Sequence, residues 1–282
     1  MKFILSYILT LLFVSNVLAD EMAEMIPHVS KKAQQSYQYN YAYANMNRAF
    51  AIAPGGAWAW SAGEENIEAA KRVALEKCHS FSEQTCTLYA VNNETVFDRS
   101  EWSRLWRPYK THQQLKNTAV GIKRGEIFPD LEYKDLFGNV KSIHELKGKV
   151  VFVHFWACWC PSCQYEFASL TEFYRIIKDT MGDSVEFVIL QAREPIEWSL
   201  AWAKKNNFDI LPLSDSGAKS EDDDEFYLKG GKKIKDRKIA KVFPTSYVLD
   251  KHGVVAFSHM GSIENWTEYV AFIKDVEINS GK

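Results

Sequence analysis

The sequence predicts an α/β domain with a central mixed sheet, preceded by a small α+β domain that a disulfide bridge staples. Two observations carry this prediction. Residues 49–91 contain two short alternating stretches, a helical pattern and a third extended stretch, with Cys78 and Cys86 near their end. Residues 150–155 form a near-continuous apolar run, typical of a strand covered on both faces, and lead into a Cys-Pro-Ser-Cys motif and a helical pattern.

The composition of the chain limits its partners. Of 282 residues, 46% are hydrophobic, which is ordinary for a globular protein, and the formal net charge is only −2. A chain without a strong charge excess is not expected to attract nucleic acid or an anionic membrane surface. We therefore predict neither as a partner.

The first 19 residues have the features of an export signal. Lys2 supplies a short positive region, residues 3–14 are almost continuously apolar, and Val17-Leu18-Ala19 matches the pattern before a signal-peptidase site. The alternative is an uncleaved membrane anchor, although the apolar run is short for a span. We predict cleavage after Ala19 and a mature protein that is periplasmic or otherwise extracytoplasmic and does not span the membrane.

Residues 20–120 are predicted to form the small α+β module and a connector. Residues 49–53 and 57–62 alternate around Pro-Gly-Gly, which indicates a β-hairpin. Apolar spacing predicts a helix over residues 64–77, and residues 85–91 are typical of a strand.

Cys78 and Cys86 are placed to staple this module. A small domain gains from a covalent bridge, and closing this short loop is worth roughly 2–3 kcal/mol by the chain-entropy estimate. The alternative is a second redox-active pair, but seven residues separate the two cysteines and no activating motif surrounds them. We interpret the pair as a structural disulfide.

The connector at residues 102–116 interleaves four basic side chains with three aromatic ones. Such a stretch can contact nucleic acid or a phosphate-bearing surface, but it is also the pattern of an amphipathic connector with one solvated face. We expect the connector, and place the start of the second domain at residue 121.

The motif at residues 160–163 has the arrangement that thiol chemistry needs. Cys160 would lie at a helix N-terminus, where unpaired N–H groups and the helix dipole favour a thiolate. Cys163 lies close enough to resolve a mixed disulfide, and Pro161 suits the first helical turn. The competing interpretation is half of a zinc site, but the chain has no second CxxC or CxxH.

Residues 126–275 resemble the thioredoxin superfamily and, within it, the TlpA/ResA-like exported reductases. The resemblance is carried by residues 155–157, by Trp159 to Cys163, and by Phe243-Pro244-Thr245 with residues 248–253. It implies a thioredoxin-like domain over residues 121–282. It also implies thiol–disulfide exchange, with Cys160 as nucleophile and Cys163 as resolving thiol, and no dissociable cofactor because the electrons reside in the cysteines.

The resemblance also implies roles for residues outside the motif. Pro244 is expected to be a cis-proline packed against the dithiol. Glu166, three residues after Cys163, is expected to be a buried acid that carries protons to and from that thiol; the alternative is a glutamate on the helix surface. The expected substrate contacts are Trp159, Pro161, Phe243 and Thr245.

Two features depart from the family pattern. Cys158 stands where a small polar residue is usual, and it either fills a small space or acts as a third thiol that binds Cu(I) with Cys160 or Cys163 and His154. His154 is otherwise a core histidine. Residues 214–241 carry an acidic run and then a basic one, which predicts a solvated loop or a partner-docking flap beside Pro244.

We therefore expect a dithiol reductase of exported protein disulfides, recharged by a membrane electron-donor protein. The alternatives are a disulfide oxidase or isomerase, and a copper-handling or partner-binding protein on the same scaffold. The module at residues 20–120 carries no catalytic motif. Its aromatic hairpin, with Trp58 and Trp60, suggests that it selects the partner protein.

Overall fold

A computed structural model describes residues 26–82 and 84–281 of the chain. The predicted signal at residues 1–19 lies outside these residues. None of the helices in the described part is long and apolar enough to cross a membrane.

The N-terminal part contains the predicted β-β-α-β unit. Its elements, in chain order, are α1 (Lys31–Tyr39), β1 (Ala49–Ile52), β2 (Trp58–Ser61), α2 (Ile67–His79), β3 (Thr87–Val91) and β4 (Glu94–Thr95). Strands β1 and β2 form the hairpin, and β3 pairs antiparallel with β1, which gives a sheet of order β2-β1-β3-β4. Asn66 caps α2 by accepting a hydrogen bond from the Ala69 N–H.

The predicted disulfide between Cys78 and Cys86 is present, with Cα atoms 6.1 Å apart. Cys78 lies in the last turn of α2, and Cys86 lies just before β3. Both are buried in a small core made mostly of alanine side chains. The bridge therefore joins the helix to the sheet where little apolar surface is available to do so.

The C-terminal part has a five-stranded mixed sheet of order β13-β12-β7-β8-β9. Its elements are β5 (Leu131–Lys134), β6 (Val140–Ser142), β7 (Val150–Trp156), α3 (Pro161–Met181), β8 (Val185–Gln191), α4 (Ile196–Lys205), β9 (Leu213–Ser214), β10 (Glu225–Leu228), β11 (Lys233–Lys235), β12 (Thr245–Leu249), β13 (Val255–Met260) and α5 (Val270–Asn279). Strand β7 is central and buried throughout, as its apolar run predicts. It runs parallel to β8 and antiparallel to β12.

The segment at residues 214–241 is not the solvated loop that its charges predict. Strands β10 and β11 form a hairpin, and β10 pairs with β5 to extend a second sheet of order β11-β10-β5-β6. Phe226 is buried on this hairpin, with its ring 5.1 Å from that of Phe155 in β7. Apolar side chains that alternate with charged ones therefore hold the segment against the central sheet.

The N-terminal part packs against the edge of the central sheet. The tip of its hairpin, Gly55, has φ +88°, and a Cβ there would lie 3.0 Å from the Phe257 ring of β13. The connector forms 3₁₀ helices over Arg99–Trp106 and His112–Asn117. From the first of these, buried Trp106 stacks on Phe272 of α5 with centroids 4.3 Å apart. The domain division at residue 120 remains a prediction.

Candidate redox site

The two cysteines of the motif lie at the end of β7, at the start of α3. Cys160 is the N-cap of α3, and its Sγ accepts a hydrogen bond from the Cys163 N–H at 3.2 Å. Pro161 is the first helical residue, where its missing N–H costs nothing. The sulfur atoms of Cys160 and Cys163 are bonded to one another. Cys160 keeps 5% of its surface exposed and Cys163 none, an asymmetry that fits the predicted order of attack.

The loop before β12 faces the dithiol. The Phe243–Pro244 peptide bond is cis. The Phe243 carbonyl oxygen lies 3.5 Å from Cys160 Sγ and accepts a hydrogen bond from Ser162 Oγ at 3.2 Å. The structure therefore brings residues 243 and 244 together with the cysteines from a point some 80 residues away in sequence.

The other predicted contact residues differ in exposure. The Trp159 side chain is 42% exposed, with its ring 6.2 Å from that of Phe243. Pro161 is also exposed. Thr245 is buried, and its hydroxyl donates a hydrogen bond to the Val242 carbonyl at 2.7 Å. The Thr245 side chain thus stabilises the turn, and its role in substrate contact remains a prediction.

Glu166 is fully buried on α3, so the alternative of a surface glutamate is wrong. Its Oε2 accepts hydrogen bonds from the Ile263 N–H at 2.8 Å and the Trp266 Nε1–H at 2.9 Å. Burial raises the pKa of this carboxyl from 4.5 to about 8, against the opposing effect of the two hydrogen bonds. Glu166 is therefore mostly protonated near pH 7.

His154 on β7 lies next to the other carboxyl oxygen of Glu166, Oε1. Its Nε2 lies 3.4 Å from Glu166 Oε1, and its Nδ1 lies 2.9 Å from Ser246 Oγ on β12. Burial lowers the pKa of His154 to about 3, which leaves the imidazole neutral. Because Glu166 Oε2 already accepts two hydrogen bonds, we place the carboxyl proton on Oε1, facing His154 Nε2. His154 is thus a core histidine that lies against the buried acid.

Glu194, which the sequence analysis missed, holds the turn before Cys160. It is buried after β8, and its carboxylate accepts hydrogen bonds from the Cys158 N–H, at 2.8 Å and 3.1 Å, and from the Ser199 hydroxyl. From the other side, Gln164 Nε2 donates to the Cys158 carbonyl at 2.5 Å. The sequence offered one signal, since Glu194 follows the largely apolar run at residues 185–190. That run is β8, which is parallel to β7, and parallel strands end at the same edge of the sheet.

The Cys158 thiol is half-buried, and its pKa is raised to about 12 by burial and by the Glu194 carboxylate. It is therefore a thiol rather than a thiolate at neutral pH. Within residues 26–82 and 84–281, no three His, Cys, Asp or Glu side chains are arranged to hold a metal ion. The Cu(I) alternative gains no support from this geometry.

A dithiol at the start of a helix, beside a central strand and opposite a cis-proline loop, defines a thiol–disulfide oxidoreductase of thioredoxin-like fold. The Redoxin family model matches residues 123–271, which is more than half of the chain, and the chain belongs to this family. Within the thioredoxin superfamily, its C-terminal half is TlpA/ResA-like. The predicted fold class is confirmed.

Several individual proteins are similar to part of this chain. The thioredoxin-like protein YneN from Bacillus subtilis is 27% identical over 159 residues, covering 56% of this chain and 82% of YneN. The thiol-disulfide oxidoreductase ResA from Geobacillus kaustophilus is 34% identical over 80 residues, covering 28% of this chain and 43% of ResA. Among solved structures, StoA from Bacillus subtilis aligns with 52% of this chain and 98% of its own, at 20% identity and a TM-score of 0.38.

Proposed function

We propose that the protein is an extracytoplasmic dithiol reductase that transfers two electrons from Cys160 and Cys163 to disulfides of exported proteins. One observation carries this proposal: Cys160 Sγ caps helix α3 and accepts the Cys163 N–H. A hydrogen bond and a helix N-terminus both stabilise a thiolate at this sulfur. The export features of residues 1–19 support the extracytoplasmic location.

The reaction proceeds by two exchanges. The Cys160 thiolate attacks one sulfur of the substrate disulfide, forming a mixed disulfide, and the other substrate sulfur leaves and takes a proton. Cys163 then loses its proton and attacks the Cys160 sulfur, which releases the second substrate sulfur as a thiol. The substrate gains two electrons and two protons, and the protein is left with the Cys160–Cys163 disulfide.

Glu166 is the proton carrier for the second exchange. It lies one turn after Cys163 on α3, away from solvent. Its pKa of about 8 is close to a neutral working pH, which is the condition for efficient general acid–base catalysis. In its ionised fraction it accepts the Cys163 proton, and it returns a proton when the pair is reduced again.

Each turnover leaves the cysteine pair oxidised, so two electrons must be returned from another protein. Outside the cytoplasm we expect a membrane electron-donor protein to supply them. The N-terminal part, whose hairpin packs against the edge of the central sheet, is then available to select partners.

The reduction potential of the Cys160/Cys163 pair tests the direction of transfer. The purified mature protein is equilibrated in glutathione or dithiothreitol buffers and followed by the fluorescence of Trp156 and Trp159. A potential of roughly −270 to −230 mV supports a reductase, whereas a value near roughly −120 mV would replace it by the oxidase alternative. A Cys78→Ala/Cys86→Ala variant is the control, because its transition arises from the Cys160/Cys163 pair alone.

A further inference from the structure

A groove lies between the N-terminal part and the central sheet, with a volume of about 990 Å³. One wall is β2, with Trp58, Ala59 and Trp60, and the facing wall is the end of β13, residues 258–260. Both are the outer strands of their sheets. Beyond Val255, which bonds to Gly125 and Glu126, no strand of the described residues pairs with the outer edge of β13.

Two facing sheet edges suit one kind of ligand. The outer edge of a strand presents a row of backbone N–H and C=O groups without a strand partner. An extended polypeptide satisfies such groups by adding itself as a further strand, while its side chains occupy pockets on either side. The groove walls therefore favour an extended chain over a compact small molecule.

The end of β13 that lines the groove lies next to the loop that contacts the dithiol. Strand β13 runs antiparallel to β12, so Met260 lies opposite Thr245, and the Gly261 N–H donates to the Pro244 carbonyl at 2.8 Å. The preceding residue, Phe243, has its carbonyl oxygen 3.5 Å from Cys160 Sγ. A polypeptide that follows β13 to its end thus arrives at the loop that contacts the nucleophile.

The charged side chains that line the groove indicate which kind of segment it binds. Lys77, Lys123 and Lys241 line it, all three are exposed, and none is ion-paired with another described residue. The apolar lining includes Phe81, which is 74% exposed, and Met260, which is 57% exposed. Unpaired positive charges around an apolar surface complement a segment that carries both apolar and acidic side chains.

We propose that this groove binds an extended, acid-bearing segment of the substrate protein between β2 and β13 and so delivers its disulfide to Cys160. The proposal rests on the reductase function proposed above and adds the substrate class. The N-terminal part then contributes one wall of the substrate site.

The test uses two synthetic disulfide peptides that differ only in carrying Glu or Gln at the positions flanking the half-cystines. The kcat/KM for their reduction is measured with the reduced, full-length mature protein and with a Lys123→Glu/Lys241→Glu variant. The matched control is Lys204→Glu/Lys205→Glu, which makes the same charge change at the end of α4. This helix packs by β9, at the opposite edge of the sheet.

The wild type and the control should prefer the Glu peptide about tenfold, and the groove variant should lose or reverse that preference. Because each variant is judged by its own Glu-to-Gln ratio, a general loss of activity does not imitate the result. The groove proposal would be overturned if the wild type had equal kcat/KM for the two peptides. If it still reduced a small aromatic disulfide, the reductase proposal would stand. Failure to reduce the small disulfide would instead overturn the reductase proposal. A wild type that is dimeric where the groove variant is monomeric would identify the occupant as a second copy and also overturn the inference.

Discussion

The two disulfides of this protein are the same kind of Sγ–Sγ bond, but they lie at opposite ends of their helices. Cys78 lies in the last turn of α2, whereas Cys160 caps the start of α3. The carboxyl end of a helix carries partial negative charge and disfavours a thiolate, and the amino end favours one. Position on the helix therefore favours reaction at the Cys160 bridge over reaction at the Cys78 bridge.

The surroundings of the two pairs reinforce the difference. Cys78 and Cys86 are packed mostly among alanine side chains, and the Cys86 N–H donates a hydrogen bond to His79 Nε2 at 3.1 Å. Cys160 faces the Phe243 carbonyl, and buried Glu166 lies one turn beyond Cys163. The Cys160/Cys163 pair thus has a facing carbonyl and a buried acid on its own helix. Exposure does not separate the two pairs, since Cys86 is 6% exposed and Cys160 is 5% exposed.

The largest expected effect comes from removing the nucleophile. Cys160→Ser should abolish reduction of a disulfide peptide, because serine oxygen cannot form the mixed disulfide, and Cys163→Ser should accumulate that intermediate covalently. Turnover is followed by thiol release, and the intermediate by mass spectrometry. The Cys78→Ala/Cys86→Ala variant should retain turnover. Residual turnover in Cys160→Ser would assign the chemistry to another thiol.

Replacing Glu166 should change the pH dependence of stability. The folded pKa is about 8 against 4.5 in the reference state, so between these pH values the unfolded chain releases a proton that the folded protein keeps. The wild type therefore loses stability as pH rises through this window, by an amount on the order of 3–5 kcal/mol in full. Glu166→Gln removes that loss, and urea unfolding at pH 5 and pH 8 measures it.

The same variant should slow release of the second substrate thiol at least tenfold, since Cys163 loses its proton carrier. Single-turnover kinetics separate this step from the first attack. Parallel stability profiles for wild type and Glu166→Gln would show that the carboxyl is ionised in the folded protein. An unchanged second step would remove Glu166 from the mechanism.

Much of this site was open to prediction because its signals are local. The apolar run of β7, the Cys-Pro-Ser-Cys motif and the helix after it follow one another along the chain. The glycine hairpin and the bridge between Cys78 and Cys86 are local in the same way. Pro244 and Glu166 came from family resemblance alone.

What remained hidden depends on contacts between distant residues. Glu194 bonds to a residue 36 positions away, and His154 to Ser246, which lies 92 positions away. Neither contact produces a periodic pattern in the sequence. In the β10–β11 hairpin, charged residues mask the alternation of Phe226, Leu228 and Ile234. The groove was hidden because its two walls belong to separate parts of the chain.

Removing the structural bridge should have a smaller effect, on stability alone. For a loop of eight residues, the chain-entropy estimate gives a loss of about 2–3 kcal/mol in the Cys78→Ala/Cys86→Ala variant. Urea unfolding measures the loss, and the exchange rate per folded molecule should stay at the wild-type value. An exchange rate that fell in proportion to stability would mean that the two disulfides are not independent.

The smallest effect is expected at Cys158, although this thiol lies only two residues from the nucleophile. Partial burial and, after it, the Glu194 carboxylate keep it protonated, with a pKa of about 12, so it cannot compete with Cys160 for a substrate disulfide. Glu194 bonds to the backbone N–H at this position, and that contact survives in Cys158→Ala. Turnover should therefore stay within about twofold of wild type, and iodoacetamide should modify Cys158 slowly at pH 8 in the oxidised protein. Rapid alkylation, or a tenfold loss of turnover, would instead make Cys158 a third participant in exchange.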